Sequence, residues 1–168
     1  ALSEHHLLPA LVVTAPDKPA GRGLRLTPPP AKQWAGARGI PVFQPATLKT
    51  AETTLRLSQE NADVFVVAAY GKLIPREALG VPPKGTLNVH PSLLPRWRGA
   101  DPIRAAILAG DTETGVTIMQ LDEELDHGPI AAQEKIPLGE KNYEALETEL
   151  AEAGGALLAR IIPQWLAG

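Results

Sequence analysis

Two short, nearly unbroken apolar runs, residues 11–14 and 64–69, constrain this chain more than any other feature. A strand exposed on one side alternates apolar and polar residues, whereas an unbroken run suits a strand covered on both faces, as in a parallel sheet. Residues 41–43 and 87–90 add two strand candidates. Helical patterns separate them. Ala31, Trp34 and Ala35 share a face before Gly39 stops the turn, and Leu55 lies in a second, weaker pattern. Asp101 is placed to cap a helix with Pro102 at its first position, and Ile103, Ala106 and Ile107 form its buried stripe until Gly110. Residues 115–121 read as a strand rich in β-branched side chains, with 130–136 returning beside it. A long helix from about Asn142 closes the chain, with Tyr143, Leu146, Leu150, Leu157 and Leu158 as contacts and Pro163 expected to break it. The alternation predicts an α/β fold: an open, mostly parallel sheet with helices on both faces, binding ligands at the carboxyl ends of its strands.

With 168 residues, 44% of them hydrophobic, the chain can fill one packed core. It has no cysteine, which excludes disulfides, thiolate nucleophiles and cysteine-bound zinc and fits a reducing compartment. No apolar run approaches the roughly 20 residues of a membrane helix, and the expected setting is cytoplasmic, as a monomer. The net charge of −3 argues against a general nucleic-acid coat. Its distribution is uneven: Lys18, Arg22, Arg25, Lys32 and Arg38 follow one another with no acidic residue between them. A solvated loop and a surface for an anionic partner both account for that cluster.

Chemistry concentrates in Leu87-Asn88-Val89-His90-Pro91-Ser92-Leu93-Leu94-Pro95-Arg96-Trp97-Arg98-Gly99-Ala100. On an extended segment Asn88 and His90 leave the same face, so an amide that can stabilise an oxyanion sits beside an imidazole that can move a proton. Asp126 lies in a dense acidic loop, Asp122, Glu123, Glu124, Leu125, Asp126, directly after a strand. That spacing is not a calcium loop, and no metal is expected. Leu125 is expected to plug inward and aim Asp126 at the cleft, with Gly128 permitting the turn that follows. Asn88, His90 and Asp126 together suit acyl-group transfer without a covalent nucleophile, through direct attack by an amine. From spacing alone a second account stands beside it: Asn88 as a turn former, His90 as a satisfied histidine and Asp126 as a cap.

The run from Asn88 to Pro95 resembles the signature of the folate-dependent formyltransferases, and its continuation through Ala100 resembles the methionyl-tRNA formyltransferase branch. Pro16-Asp17-Lys18-Pro19-Ala20-Gly21-Arg22-Gly23 is similar to that branch's tRNA-contacting insertion, Ala68-Ala69-Tyr70-Gly71 to its folate-pocket strand end, and residues 115–120 to the strand before its catalytic aspartate. The resemblance implies transfer of a formyl group from 10-formyltetrahydrofolate to the α-amino group of initiator methionyl-tRNA. It implies Asn88, His90 and Asp126 as catalytic residues, with Ser92, Leu93, Leu94, Pro95, Tyr70, Gly71 and Leu121 around the folate. Arg22, Lys18 and Arg25 would meet the tRNA.

Against the family pattern, residues 1–168 correspond to a catalytic domain lacking the first strand and the C-terminal tRNA-binding barrel, with residues 1–8 in the helix after that strand. Pro91 and Glu123-Glu124 are closer to the glycinamide ribonucleotide formyltransferases, and Lys72 replaces a residue that is usually apolar. That enzyme and a formyltetrahydrofolate hydrolase are the alternative activities. A fragment that binds folate or RNA without turnover is the alternative of another class.

Overall fold

The computed structural model describes residues 1–21 and 23–168. A 3₁₀ turn at Leu2–His5, where the sequence suggested a helix, precedes strand β1 (Val12–Val13). Then come the hairpin β2 (Lys18–Ala20) and β3 (Arg25–Thr27), helix α1 (Pro30–Gly36), β4 (Val42–Phe43), α2 (Ala51–Ser58), β5 (Phe65–Ala68) and α3 (Arg76–Leu79). The second half holds β6 (Thr86–His90), α4 (Pro102–Leu108), β7 (Glu113–Gln120), β8 (Ile130–Pro137) and α5 (Tyr143–Ala167). The α/β class is as expected. Parallel pairing joins β1 to β4 and β5 to β6, while β6, β7 and β8 run antiparallel, so the parallel character lies in the first half. The strands form separate sheets, β1-β4, β2-β3 and β5-β6-β7-β8.

Local chemistry sets the helix starts. Pro30 opens α1, where its missing N–H costs nothing. Thr50 Oγ1 accepts from Thr53 N to cap α2, and Asn142 Oδ1 accepts from Ala145 N at 2.9 Å to cap α5. Asp101 is the N-cap of α4 but makes no capping bond; its carboxylate pairs with Arg104 instead. Pro163 does not end α5, which runs on to Ala167. One turn beyond a proline can persist when the helix is anchored by packing, and Leu157, Leu158, Ala159 and Ile162 are all buried.

The main core lies between α5, α4 and one face of the four-stranded sheet, uniting Leu87, Ile103, Ala106, Val116, Ile118, Ile136, Leu146, Leu150, Leu157 and Leu158. Each fully buried leucine there contributes about 1.5–3 kcal/mol. Gly154 lets α5 approach β6: a methyl on it would meet Val89 Cγ1 at 2.7 Å. A smaller cluster of Leu48, Leu57 and Ala78 gathers Val13, Phe43, Phe65 and Tyr70. Leu55 does not join it; the α2 residues that turn inward are Thr53 and Leu57, and Leu55 is 61% exposed. Because Leu87 and Val89 face α5, Thr86, Asn88 and His90 line the opposite face of β6. No helix among the described residues is long and apolar enough to cross a membrane.

Candidate active site

Residues 91–99 fold back over that opposite face and pin themselves to β7 and β8. Thr117 Oγ1 donates to Ser92 O at 2.6 Å, Leu94 N donates to Thr117 Oγ1 at 3.2 Å, and Gln133 Nε2 donates to Leu94 O at 2.9 Å. Ser92 Oγ donates to Arg96 O at 2.6 Å. Ser92 and Leu94 are therefore buried, with their polar groups spent inside the protein, and Leu93 packs against Gly115. In this structure the segment from Ser92 to Pro95 props the end of β6 at which His90 stands.

His90 is buried and held from two sides. Its Nε2 lies 3.0 Å from Trp97 O; a carbonyl only accepts, so Nε2 donates. Its Nδ1 faces Asp126 Oδ2 at 3.7 Å, within ion-pair range and longer than a hydrogen bond, a looseness that catalytic pairs show before substrate binds. Asp126 is buried with φ 46°, in the left-handed region that aspartate tolerates better than most residues, and accepts from Gly99 N at 2.8 Å. Asn88 is 9% exposed, and its amide is engaged by no hydrogen bond among the described residues. Thus His90 and Asp126 are brought together, and Asn88 stands one pleat repeat away on their face of the sheet. In so dry a setting each dipole acts more strongly than in water.

The acidic loop departs from expectation in one respect. Leu125 is 66% exposed, so it does not plug inward. Asp126 is fixed by its bond to Gly99 instead. Asp122 accepts from Glu124 N and pairs with His127 at 2.9 Å, which lowers the Asp122 pKa and raises that of His127, and Glu123 pairs with Arg76. Gly128 is demanded by proximity: a methyl there would collide with Gln120 O.

Tyr70 follows the end of β5 between Ala69 at φ 47° and Gly71 at φ 69°. Its hydroxyl is buried without a hydrogen-bond partner, and burial raises its pKa. Of the residues expected around the folate, Leu121 alone lines a cavity of about 720 Å³, shared with Thr86, Gln120 and, from α5, Ile161, Gln164 and Trp165, and neither Asn88 nor His90 reaches it. Leu121 N donates to Thr86 O at 2.8 Å, which joins the cavity wall to the foot of the strand carrying Asn88 and His90.

Lys18 and Arg25 sit on the β2-β3 hairpin, where residues 24–27 are all exposed, Leu24 and Leu26 among them. Arg22 lies outside the described residues. Lys32, another member of the basic cluster, is not available to a partner: it donates to both Asp17 oxygens, at 2.9 and 2.8 Å, while Gln44 Nε2 donates to Asp17 Oδ1. This knot anchors the root of the hairpin.

Asp111 is a site residue that the sequence reading missed. It accepts from Arg96 Nε at 2.9 Å, Arg96 Nη2 at 2.6 Å and Trp97 Nε1 at 2.7 Å, and these donors, Arg96 first, hold its pKa down at about 2 against an ordinary 3.8. Because the folded pKa is depressed, the carboxylate's stabilising contribution is complete above about pH 4 and is lost as pH falls through 2. Denaturant midpoints measured from pH 5 to pH 2 should therefore fall more steeply for the natural protein than for Asp111→Asn; parallel curves would contradict this.

Comparison with known proteins gives the family. The formyl transferase family model matches residues 2–162. Methionyl-tRNA formyltransferases of Bordetella petrii, Thiobacillus denitrificans and Thermus thermophilus are 49%, 53% and 50% identical over 99%, 88% and 96% of this chain. The matches cover 55%, 48% and 53% of those proteins, so the chain spans about half the length of these curated relatives. Among solved structures, a glycinamide ribonucleotide transformylase of Geobacillus kaustophilus has a TM-score of 0.77 at 30% identity, covering 98% of this chain and 88% of that one. A phosphoribosylglycinamide formyltransferase of Bacillus halodurans has a TM-score of 0.73 at 30% identity, covering 98% and 84%. On the sequence match, and on a site that holds His90 against Asp126 on the sheet face of Asn88, the chain belongs to the formyl transferase family.

Proposed function

We propose that the intact protein transfers a formyl group from 10-formyltetrahydrofolate to the α-amino group of methionyl-tRNA. The observation that carries this reading is the placement of Asn88 and His90 on one sheet face with the Asp126 carboxylate held beside the imidazole. The folate supplies an activated formyl carbon. As the amine nitrogen bonds to that carbon, the Asn88 amide donates to the oxygen that gains charge. His90 Nδ1, the ring nitrogen left basic by the Nε2–H bond to Trp97 O, takes the proton the amine loses, the Asp126 carboxylate 3.7 Å away stabilises the imidazolium that forms, and the same nitrogen returns the proton to the nitrogen that leaves.

Two further features support tRNA as acceptor: relatives of that name at about 50% identity, and an exposed hairpin bearing Lys18 and Arg25. The intact protein, offered the folate donor with methionyl-tRNA, with glycinamide ribonucleotide or with water alone, is expected to formylate the tRNA. Preferential formylation of the ribonucleotide, or release of formate, would overturn the reading. The double variant Lys18→Ala, Arg25→Ala should raise the KM for tRNA several-fold and leave that for the folate unchanged. It should also flatten the salt dependence of tRNA binding by about one logarithmic unit of slope for each phosphate left without its cation. Equal effects on both substrates would remove the hairpin from tRNA recognition.

A further inference from the structure

We propose that Asp111 is a positioning residue for the His90–Asp126 pair, acting through the segment from Arg96 to Gly99. That segment touches both members of the pair: Trp97 O receives the His90 Nε2 proton at 3.0 Å, and two residues later Gly99 N donates to Asp126 Oδ2 at 2.8 Å. Trp97 can present its carbonyl this way because its φ is 60°, a left-handed conformation that is rare for a bulky side chain and persists only where the surroundings impose it. Asp111 is what imposes it. Its carboxylate binds the Trp97 indole and both near nitrogens of Arg96, whose guanidinium stacks 4.3 Å from the centre of the Trp97 ring. No other hydrogen bond among the described residues holds the Arg96 or Trp97 side chain. Asp111 is itself fixed after α4, its N–H donating to Ala106 O at 3.1 Å just past Gly110 at φ 66°.

The chain of contacts thus runs from α4 through one carboxylate to Trp97, and from its backbone to the imidazole. Removing the carboxylate leaves the Nε2 acceptor free to turn away, so the imidazole loses the bond that fixes its tautomer and its aim at Asp126. The inference rests on the proposed role of His90 in moving a proton, and its test reads the imidazole separately from turnover.

In the intact protein, Asp111→Asn is compared with the natural form for kcat, for both KM values, for the pH–rate profile and for the ¹⁵N shifts of the His90 ring. The expected result is a kcat lowered about tenfold, a folate KM within about twofold, a displaced limb of the pH profile, and His90 nitrogen shifts that move from a single Nε2–H form to an averaged one. A folded variant with unchanged His90 shifts and an unchanged pH profile would overturn the proposal, whatever its kcat. If the ring shifts move while the natural protein formylates none of the acceptors, positioning stands and the proposed activity falls. Should Asp111→Asn not fold, Trp97→Phe, which removes the indole N–H and keeps an aromatic ring under Arg96, decides: displaced His90 shifts support the proposal, and unchanged ones overturn it.

Discussion

Replacing Asn88 by alanine in the intact protein is expected to lower kcat for formyl transfer by about 10²–10³-fold, the loss that follows removal of one oxyanion donor. The folate KM should stay within about twofold, because the interaction strengthens only as the carbonyl oxygen gains charge. The structure favours this outcome on two counts. Asn88 lies in the middle strand pairing of the main sheet, and its amide, engaged by no hydrogen bond among the described residues and not sealed from the surface, has its donors open to a substrate oxygen. Its neighbours on the same face, Thr86 and His90, do have partners. Asn88→Asp sharpens the test. It keeps the volume but sets an acceptor where the amide donor stood, so it should be at least as slow as alanine. Single-turnover rates would separate chemistry from product release, and an Asn88→Ala rate at half that of the natural protein would remove this amide from the reaction.

What could be read in advance was what depends on short-range periodicity. Period two alone puts Asn88 and His90 on one face, and the register of β6 against β7 keeps them there. The stripe of α4 and the inward leucines of α5 are equally local. Leu125 misled because an apolar residue among acids reads as a plug, whereas the Gly99 N–H captures Asp126 and leaves Leu125 outside. The clamp at Asp111 was invisible for a related reason. It joins residues 14 and 15 positions apart, across a helix, and nothing in Gly110-Asp111 by itself announces a carboxylate aimed at an indole. The basic cluster also looked more uniform than it is, since Lys32 is consumed by Asp17 while Lys18 and Arg25 remain exposed. The residue types suggest pairing Asp126 with His90 and the resemblance implies it; they lie 36 positions apart, and only the folded chain sets 3.7 Å between them.

Gly115→Ala is expected to cost about 3 kcal/mol, the upper part of the range for forcing a methyl into a packed site. For a domain of this size that corresponds to a melting temperature lower by about 6–12 °C. Gly115 pairs with Lys135 across β7 and β8, and its φ is not the issue. A β-carbon there would collide with the Glu134 carbonyl and stand 2.6 Å from Leu93 Cδ2. The leucine can rotate, but the carbonyl belongs to the neighbouring strand and cannot yield without opening the ladder. Gly36→Ala is the counterpart. Gly36 ends α1 with open space around its α-carbon, so alanine should raise stability by about 0.5–1 kcal/mol through the unfolded chain. Thermal unfolding of the two variants should move in opposite directions, and a shared direction would contradict the packing drawn here. The same crowding has a functional consequence. Leu93 lies in the segment that Thr117 and Gln133 hold down, and that segment carries the chain from His90 to Trp97. A methyl that lifts Leu93 therefore loosens the seat of the imidazole, and kcat in Gly115→Ala should fall even at temperatures where the variant is fully folded.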